Sequence, residues 1–419
     1  MVANEIKKCR ICGNKKLISI IDLGVQSLSG RFPKREESDP PATPLELVKC
    51  DVDGKIDACG LLQLKHTVSP EEMYAHHYGY MSGINKTMRN HLKDIVKKIT
   101  EIVNLNEGDV VLDIGSNDAT LLKSYNIFGL QRIGIDPTGE QFRKYYTSDI
   151  KLVCDFFNIE NYRSVMSEKK AKVISSIAMF YDLDKPMDFV RDVKKILHSD
   201  GIWVFEQSYM PEMLKKNSFD TICQEHLEYY SLGPIDWMLK KNSLRIFKVE
   251  FNEINGGSFR IYACHEDSKF ESDTRNIEKI FKTEEKLKLD TIQPYIEFKE
   301  RIERLRNELI TFLTEEKGNG KTIYIYGAST KGNVLLQYYN IDKKLITAAA
   351  DRNPEKWGHR TPTTNIPIIS EEEAREKKPD YFLVLPWHFK EEFLKREKDF
   401  LKSGGKFIFP LPEIEIIGE

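Results

Sequence analysis

The chain has 419 residues, enough for two or three domains at about 150 residues each. Its 40% apolar and 31% charged residues are an ordinary soluble balance, so several cores can form without disulfide staples. Lys and Arg total 63 against 65 Asp and Glu, and the net charge of −2 argues against a general nucleic-acid binder. No apolar run approaches the ~18 residues of a membrane helix, and the opening MVANEIKKC lacks the apolar stretch of a secretory signal. A cytoplasmic, multidomain protein is expected, with no nucleic acid and no membrane among its partners. The composition is compatible with a monomer.

Seven cysteines are unevenly placed, four of them in the first 59 residues. Cys9-x-x-Cys12 has zinc-knuckle spacing, and Arg10 and Gly13 suit its tight turn. Cys50 and Cys59 form a wider pair, with eight residues between them and Gly60 after it. An odd total without a signal segment speaks against a disulfide framework. Two thiolate pairs on separate loops predict a closed tetrahedral zinc site at Cys9, Cys12, Cys50 and Cys59; four incidental free thiols are the plainer alternative. Residues 33–44, PKREESDPPATP, are expected to be an exposed connection inside this module, residues 1–75.

Residues 86–103 have apolar positions at helical spacing and lead into a second unit, residues 76–268. Apolar runs at 110–114, 132–136, 151–154, 172–178 and 201–205 alternate with polar segments. That alternation predicts a parallel sheet with helices on both faces. The run VLDIGSNDATLL, 111–122, reads as a strand ending in Asp113, a turn at Gly115 and a helix entered through Ser116, Asn117 and Asp118. Nucleotide-type cofactors bind at such a switch. Asp136 lies 21 residues past Gly115, a spacing that suits a carboxylate gripping ribose hydroxyls. There is no P-loop lysine and no regular GxGxxG, which points to S-adenosylmethionine over NAD. Asp155 and Phe156 follow the third strand, where an adenine would be sandwiched. DTICQEHLEYYSL, 220–232, crowds Glu225, His226, Glu228, Tyr229 and Tyr230 together. Histidine is well poised as a general base near neutral pH, and a neighbouring carboxylate can orient it; a solvated helix turn is the plainer reading. Residues 244–251 and 258–264 predict a hairpin around Asn255, Gly256 and Gly257.

Residues 270–317 are highly charged, with apolar positions at helical spacing, and predict one or two long helices opening the last unit, 269–419. A second α/β pattern follows, with strands expected at 321–326, 345–350, 380–385 and 405–409. In GASTKG, 327–332, Gly327 and Ser329 permit close approach of a phosphate and Lys331 adds charge at a helix start; a structural turn is the alternative. Asp351 follows the next strand. The expected fold class is α/β: a Rossmann-like S-adenosylmethionine-binding domain, an N-terminal zinc-binding module and a second, C-terminal Rossmann-like domain.

CRICG, GLLQL after a further Cys, GYMSGINKTMRNHL, VLDIGSNDATLL, EHLEYYSL, NGGSFRIY and YGASTKGN occur in this order. Together they resemble the sugar C-methyltransferase family of deoxysugar biosynthesis over nearly the whole chain. The resemblance implies a structural zinc on the four cysteines, S-adenosylmethionine in the middle domain and a C-terminal domain that helps bind a nucleotide-linked sugar. Members methylate a carbon, typically C3, beside the 4-keto group of a dTDP-activated deoxysugar. The resemblance implies His226 as base or enolate donor with Glu225 as its partner, Tyr78 near the cofactor and Tyr80 at the reacting centre. Arg260, Gly327, Ser329 and Lys331 are expected on the substrate. The chain departs from the family pattern at three places. Cys223 stands where the family keeps a catalytic tyrosine, and would act as a thiolate only with a lowered pKa. Phe180 and Tyr181 occupy the neighbourhood of a family histidine, and Ala119 replaces a glycine. Two other readings stay open: a nicotinamide-dependent sugar-nucleotide oxidoreductase using GASTKG, and a zinc-knuckle binding protein with degenerate enzyme domains.

Overall fold

Short N-terminal strands frame the cysteines. They are β1 (Ala3–Glu5), β2 (Leu17–Ser27), β3 (Ala42–Cys50), β4 (Leu62–Leu64) and β5 (His66–Val68). The computed structural model describes residues 3–53, 57–69, 73 and 81–419. β3 alternates exposed and buried positions at its start and is then buried along Leu47, Val48, Lys49 and Cys50. It pairs antiparallel with both β2 and β4. Residues 34–39 are exposed, as expected for the charged connection, but the strand takes over from Ala42 onward.

The second unit opens with the helix Lys86–Ile102, which buries Leu92, Ile95, Val96 and Ile99 along one face. Asn85 caps it by accepting from the Thr87 N–H at 2.8 Å. The strands that follow are β6 (Val110–Ile114), β7 (Gln131–Ile135), β8 (Ile150–Val153), β9 (Ala171–Ile177), β10 (Leu197–Ser208), β11 (Glu228–Tyr229), β12 (Leu244–Asn252) and β13 (Ser258–His265). Seven of them form one sheet in the order β12-β13-β10-β9-β6-β7-β8. β6 to β10 run parallel, and the β12/β13 hairpin joins β10 antiparallel. The strand order reverses beside β6, so the carboxyl ends of β6 and β9 border the ligand crevice of an open α/β sheet.

The helix expected straight after β6 does not form. Asn117 (φ 48°) and Ala119 (φ 59°) take left-handed backbone, which interrupts a right-handed helix, and only the single 3-10 turn Leu122–Ser124 follows.

Helices Thr274–Lys286 and Gln293–Gly318 connect to the last unit. The longer one buries Tyr295, Phe298, Ile302, Leu305, Leu309 and Leu313, a continuous 3–4 stripe. The last sheet contains β14 (Ile323–Tyr326), β15 (Ala349–Asp351), β16 (Ile368–Ser370), β17 (Tyr381–Val384), β18 (Lys406–Phe409) and β19 (Glu415–Ile417), ordered β16-β15-β14-β17-β18-β19. Its strands are parallel except β19. β15 starts later than the apolar run at 345 because Leu345 and Ile346 bond back to the Asp342 carbonyl in a turn.

One apolar core joins β2, β3 and β4, the long helix, the last sheet and the loop residues Phe219, Ile222, Cys223 and Leu227. Among the described residues the N-terminal module therefore has no private core. β11 adds to its sheet in the order β11-β4-β3-β2, pairing Glu228 with Gln63 and Tyr229 with Leu62.

Candidate active site and metal centre

The four N-terminal cysteines converge. Cys9 and Cys59 place their sulfurs 3.5 Å apart, as do Cys12 and Cys50, and all four lie within 4.8 Å of one another. A tetrahedral zinc with ~2.3 Å bonds needs sulfur separations of about 3.8 Å, so the set fits the ion. Gly13 and Gly60 turn the two loops at φ 71° and 72°. The Gly13 N–H donates to the Cys9 carbonyl at 3.0 Å, and the Cys9 N–H to the Asn14 carbonyl at 2.8 Å. Four protein ligands leave no open position, which makes the centre structural.

A cavity of about 380 Å³ opens at the carboxyl ends of β6, β7, β9 and β10. Asp113, Gly115, Ser116, Asn117 and Asp136 all line it, as expected for a cofactor turn. Gly115 has φ 73°, and a Cβ there would press on Met179 at 3.0 Å. Asp136 is largely committed to the turn: it accepts from the Asn117 N–H at 2.7 Å and from the Thr138 N–H at 2.7 Å. The Tyr146 hydroxyl lies 2.7 Å from Ser116 Oγ and donates to the Asn117 carbonyl at 2.9 Å, locking the loop. Burial pushes the Asp113 carboxyl up to about 7, against the hydrogen bond from Ser175 Oγ at 2.6 Å. Phe156 lines the cavity together with Phe157, but Asp155 does not; its carboxylate accepts from the Phe156 N–H at 2.7 Å. Tyr78 and Tyr80 lie outside the described residues. The segment that follows them is tied to the turn, with the Ser82 N–H donating to Asn117 Oδ1 at 3.0 Å and the Gly83 N–H to Asp118 Oδ2 at 2.9 Å.

His226 stands on the same cavity wall. Its Nδ1 is 2.9 Å from the Thr221 carbonyl, which can only accept, so Nδ1 carries the proton and Nε2 keeps its lone pair. The ring packs edge-on against Tyr181 at 4.5 Å. Burial, then the charge of Lys331, depresses its pKa to about 4, so the ring is neutral at neutral pH. The loop is buried, not a solvated helix turn.

Glu225 and Cys223 do not take the places expected for them. Neither lines the cavity. The Glu225 carboxylate lies against Gly30, where a Cβ would come within 2.7 Å of Oε1, so the Thr221 carbonyl orients His226 instead. Cys223 is packed in the shared apolar core, and burial holds its thiol well above the usual range. That environment removes the thiolate base. Gln224 ties the loop to the N-terminal module: it donates to the Gln26 carbonyl at 3.2 Å and accepts from Ser29 Oγ at 3.3 Å.

Lys331 enters the cavity from the last unit, on the helix Thr330–Tyr339. Gly327 and Ser329 stay outside it. Ser329 Oγ accepts from the Gly332 N–H at 3.0 Å and so caps its own helix. Gly327 (φ 84°) is pressed against Pro386, and Asp351 accepts from the Ala328 N–H at 2.9 Å. The acid and the helix start that a dinucleotide would use are spent on the loop itself. Arg260 is a second correction: it is 2% exposed, does not line the cavity, and donates to Glu206 Oε2 at 2.8 Å. Its position in β13, opposite Glu206 in β10, makes it a buried counter-charge.

Three family descriptions match the chain in order: a zinc binding domain over residues 9–74, a methyltransferase domain over 84–249 and a C-methyltransferase C-terminal domain over 253–412. The chain is also 28% identical to the C-methyltransferase NovU of Streptomyces niveus, over 99% of this chain and 98% of that protein. These matches support an S-adenosylmethionine-dependent C-methyltransferase.

Among solved structures, this C-methyltransferase is similar to an S-adenosylmethionine-dependent methyltransferase from Clostridium acetobutylicum, with 14% identity and a TM-score of 0.34 over 47% of this chain and 99% of that one. It is also similar to the CcbJ methyltransferase from Streptomyces caelestis, with 10% identity and a TM-score of 0.33 over 42% and 89%. Sequence reasoning missed several residues of the C-methyltransferase cavity, notably Glu206, Gln207 and Met179. Glu206 and Gln207 end the apolar run of β10, and a carboxylate closing a buried strand was a readable signal. Burial pushes the Glu206 carboxyl up, but His91 at 2.5 Å and Arg260 outweigh it and hold it below the usual range. Asn255 (φ 56°) reaches the same wall from the β12/β13 turn, a place the hairpin reading did not assign.

Proposed function

We propose that this C-methyltransferase acts on a nucleotide-linked 4-keto deoxysugar, at the carbon beside the ketone. The observation that carries the reading is a neutral, oriented His226 with a free Nε2 on the wall that also holds the Asp113–Gly115–Asn117 turn. The turn, Asp136, Phe156 and Phe157 would hold S-adenosylmethionine, which supplies an electrophilic methyl group when bound. A proton beside a ketone is acidic because the resulting charge spreads onto oxygen. His226 Nε2 takes that proton, and the Thr221 carbonyl stabilises the imidazolium through Nδ1–H. Tyr181 fixes the ring edge-on, so the base is held at one place against the substrate carbon. Glu225 and Cys223 support the loop and do not touch the reacting atoms.

The test is mass spectrometry of a panel of 4-keto nucleotide sugars incubated with the zinc-loaded enzyme and methyl-labelled S-adenosylmethionine. One member is expected to gain a single labelled methyl group. His226→Asn should retain S-adenosylhomocysteine binding by calorimetry and lose turnover about 100-fold or more. Turnover unchanged in His226→Asn would remove the histidine from the chemistry.

A further inference from the structure

We infer that Lys331 is the cation that receives the enolate charge, donating an N–H hydrogen bond to the ketone oxygen as the proton leaves for His226. This rests on the ketone-activating reading above and changes the role of a lysine whose motif suggests a phosphate.

Four observations support it. Asp113, Asp136, Asp182 and Glu206 all line the cavity, and among the described residues Lys331 is its one ammonium or guanidinium. Lys331 has no ion-pair partner among the described residues. A cation in a partly buried, acid-rich cavity with no carboxylate holding it is available to a developing oxyanion. Third, its helix is anchored to the frame that carries the base. Asn333 donates to the Ser29 carbonyl at 2.7 Å, and Gln337 accepts from the Ser27 N–H at 2.8 Å. Gln224, two residues before His226, bonds the same segment from the other side. Base and cation therefore come from different units but share one rigid strip, residues 26–29. Fourth, Lys331 is close enough for its charge to disfavour protonation of His226. The same charge acts on the buried Asp220 and on His388. A diphosphate hangs from the anomeric carbon, on the far side of the sugar ring from a ketone at C4.

The step balances without a further reactant. The C–H bond breaks and its proton goes to His226 Nε2. The electron pair becomes the C=C bond, and the carbonyl π pair moves onto oxygen, where the Lys331 ammonium meets it. Lys331 remains protonated throughout.

Lys331→Gln and Lys331→Ala in the full-length, zinc-loaded enzyme test the role. The first readout is exchange of the sugar's proton for deuterium in D2O with S-adenosylhomocysteine present, using whichever panel sugar the wild type methylates. The second is calorimetric affinity for dTDP and UDP alone. Expected are exchange and turnover reduced about 100-fold, unchanged affinity for the bare diphosphates and for S-adenosylhomocysteine, and partial rescue of Lys331→Ala by methylamine. A tenfold or larger loss of dTDP or UDP affinity with exchange intact would overturn the proposal in favour of a phosphate contact. Unchanged exchange and unchanged nucleotide affinity would also overturn it. If the wild type turns over no sugar in the panel, the ketone-activating reading fails first and this inference falls with it.

Discussion

Asp113 places a proton-dependent charge on the cavity wall. Burial raises its pKa to about 7, so below that pH the carboxyl is mostly neutral. S-adenosylhomocysteine carries an ammonium, which favours the ionised form. Binding should therefore release a proton when the pH is below about 7, and affinity should weaken as pH falls, by up to about tenfold per unit. Calorimetry in buffers of different ionisation enthalpy between pH 6 and 8 reads both effects, and Asp113→Asn should abolish the proton release. A flat pH profile in the wild type would show that Asp113 is ionised without ligand. Cys223 offers a contrast at the same scale. Its thiol is 1% exposed in an apolar cluster, so Cys223→Ser buries a hydroxyl and should cost about 1–3 kcal/mol of stability while kcat stays within a few-fold. A kcat loss as deep as that of His226→Asn would restore the thiol to the chemistry.

At the scale of elements, β11 connects the zinc centre to His226. His226 lies two residues before a strand that pairs with β4, and β4 follows the cysteine loops directly. Arg10, between Cys9 and Cys12, reinforces the connection. Its side chain is 2% exposed, donates to the Leu64 carbonyl at 2.6 Å and lies 3.7 Å from Glu228 Oε1. Chelating zinc should therefore lower Tm and turnover together, since the metal's binding energy is folding energy for this module. Arg10→Met should cost about 3 kcal/mol, the lower end for one partner removed from a buried pair, and reduce kcat more than S-adenosylhomocysteine affinity. Full activity after metal removal, verified by metal analysis, would detach the zinc centre from the active-site loop.

One apolar cluster crosses all three units, while the middle sheet packs in two further clusters. Two of the units line the cavity directly: the middle one supplies the turn at Gly115 and His226, and the last one supplies Lys331. A chain ending at residue 268 exposes the apolar faces of β2, β3 and β4 that the long helix covers, and should neither melt cooperatively nor bind S-adenosylhomocysteine. Cooperative unfolding of that truncated chain, followed by circular dichroism, would show that the middle unit is independent.

Much of this was decided locally and could be read from the chain. The four cysteines, the strands at 110–114 and 131–135, the acidic turn and the hairpin around Asn255 follow from spacing, apolar periodicity and turn chemistry, which act over a few residues. The directions of side chains in the 220–227 loop did not follow. Whether His226, Glu225 or Cys223 meets the cavity depends on β11 pairing with β4 and on Gln224 reaching Ser29, contacts separated by more than 150 residues in sequence. Arg260 was misplaced for the same reason: its partner Glu206 is 54 residues away on a neighbouring strand. The sequence by itself determined which chemistries the chain holds, because residue types and short spacings carry them. Only the tertiary structure decided which groups share the cavity, because the long-range packing that buries Cys223 and brings Lys331 and His226 to one cavity has no local signature.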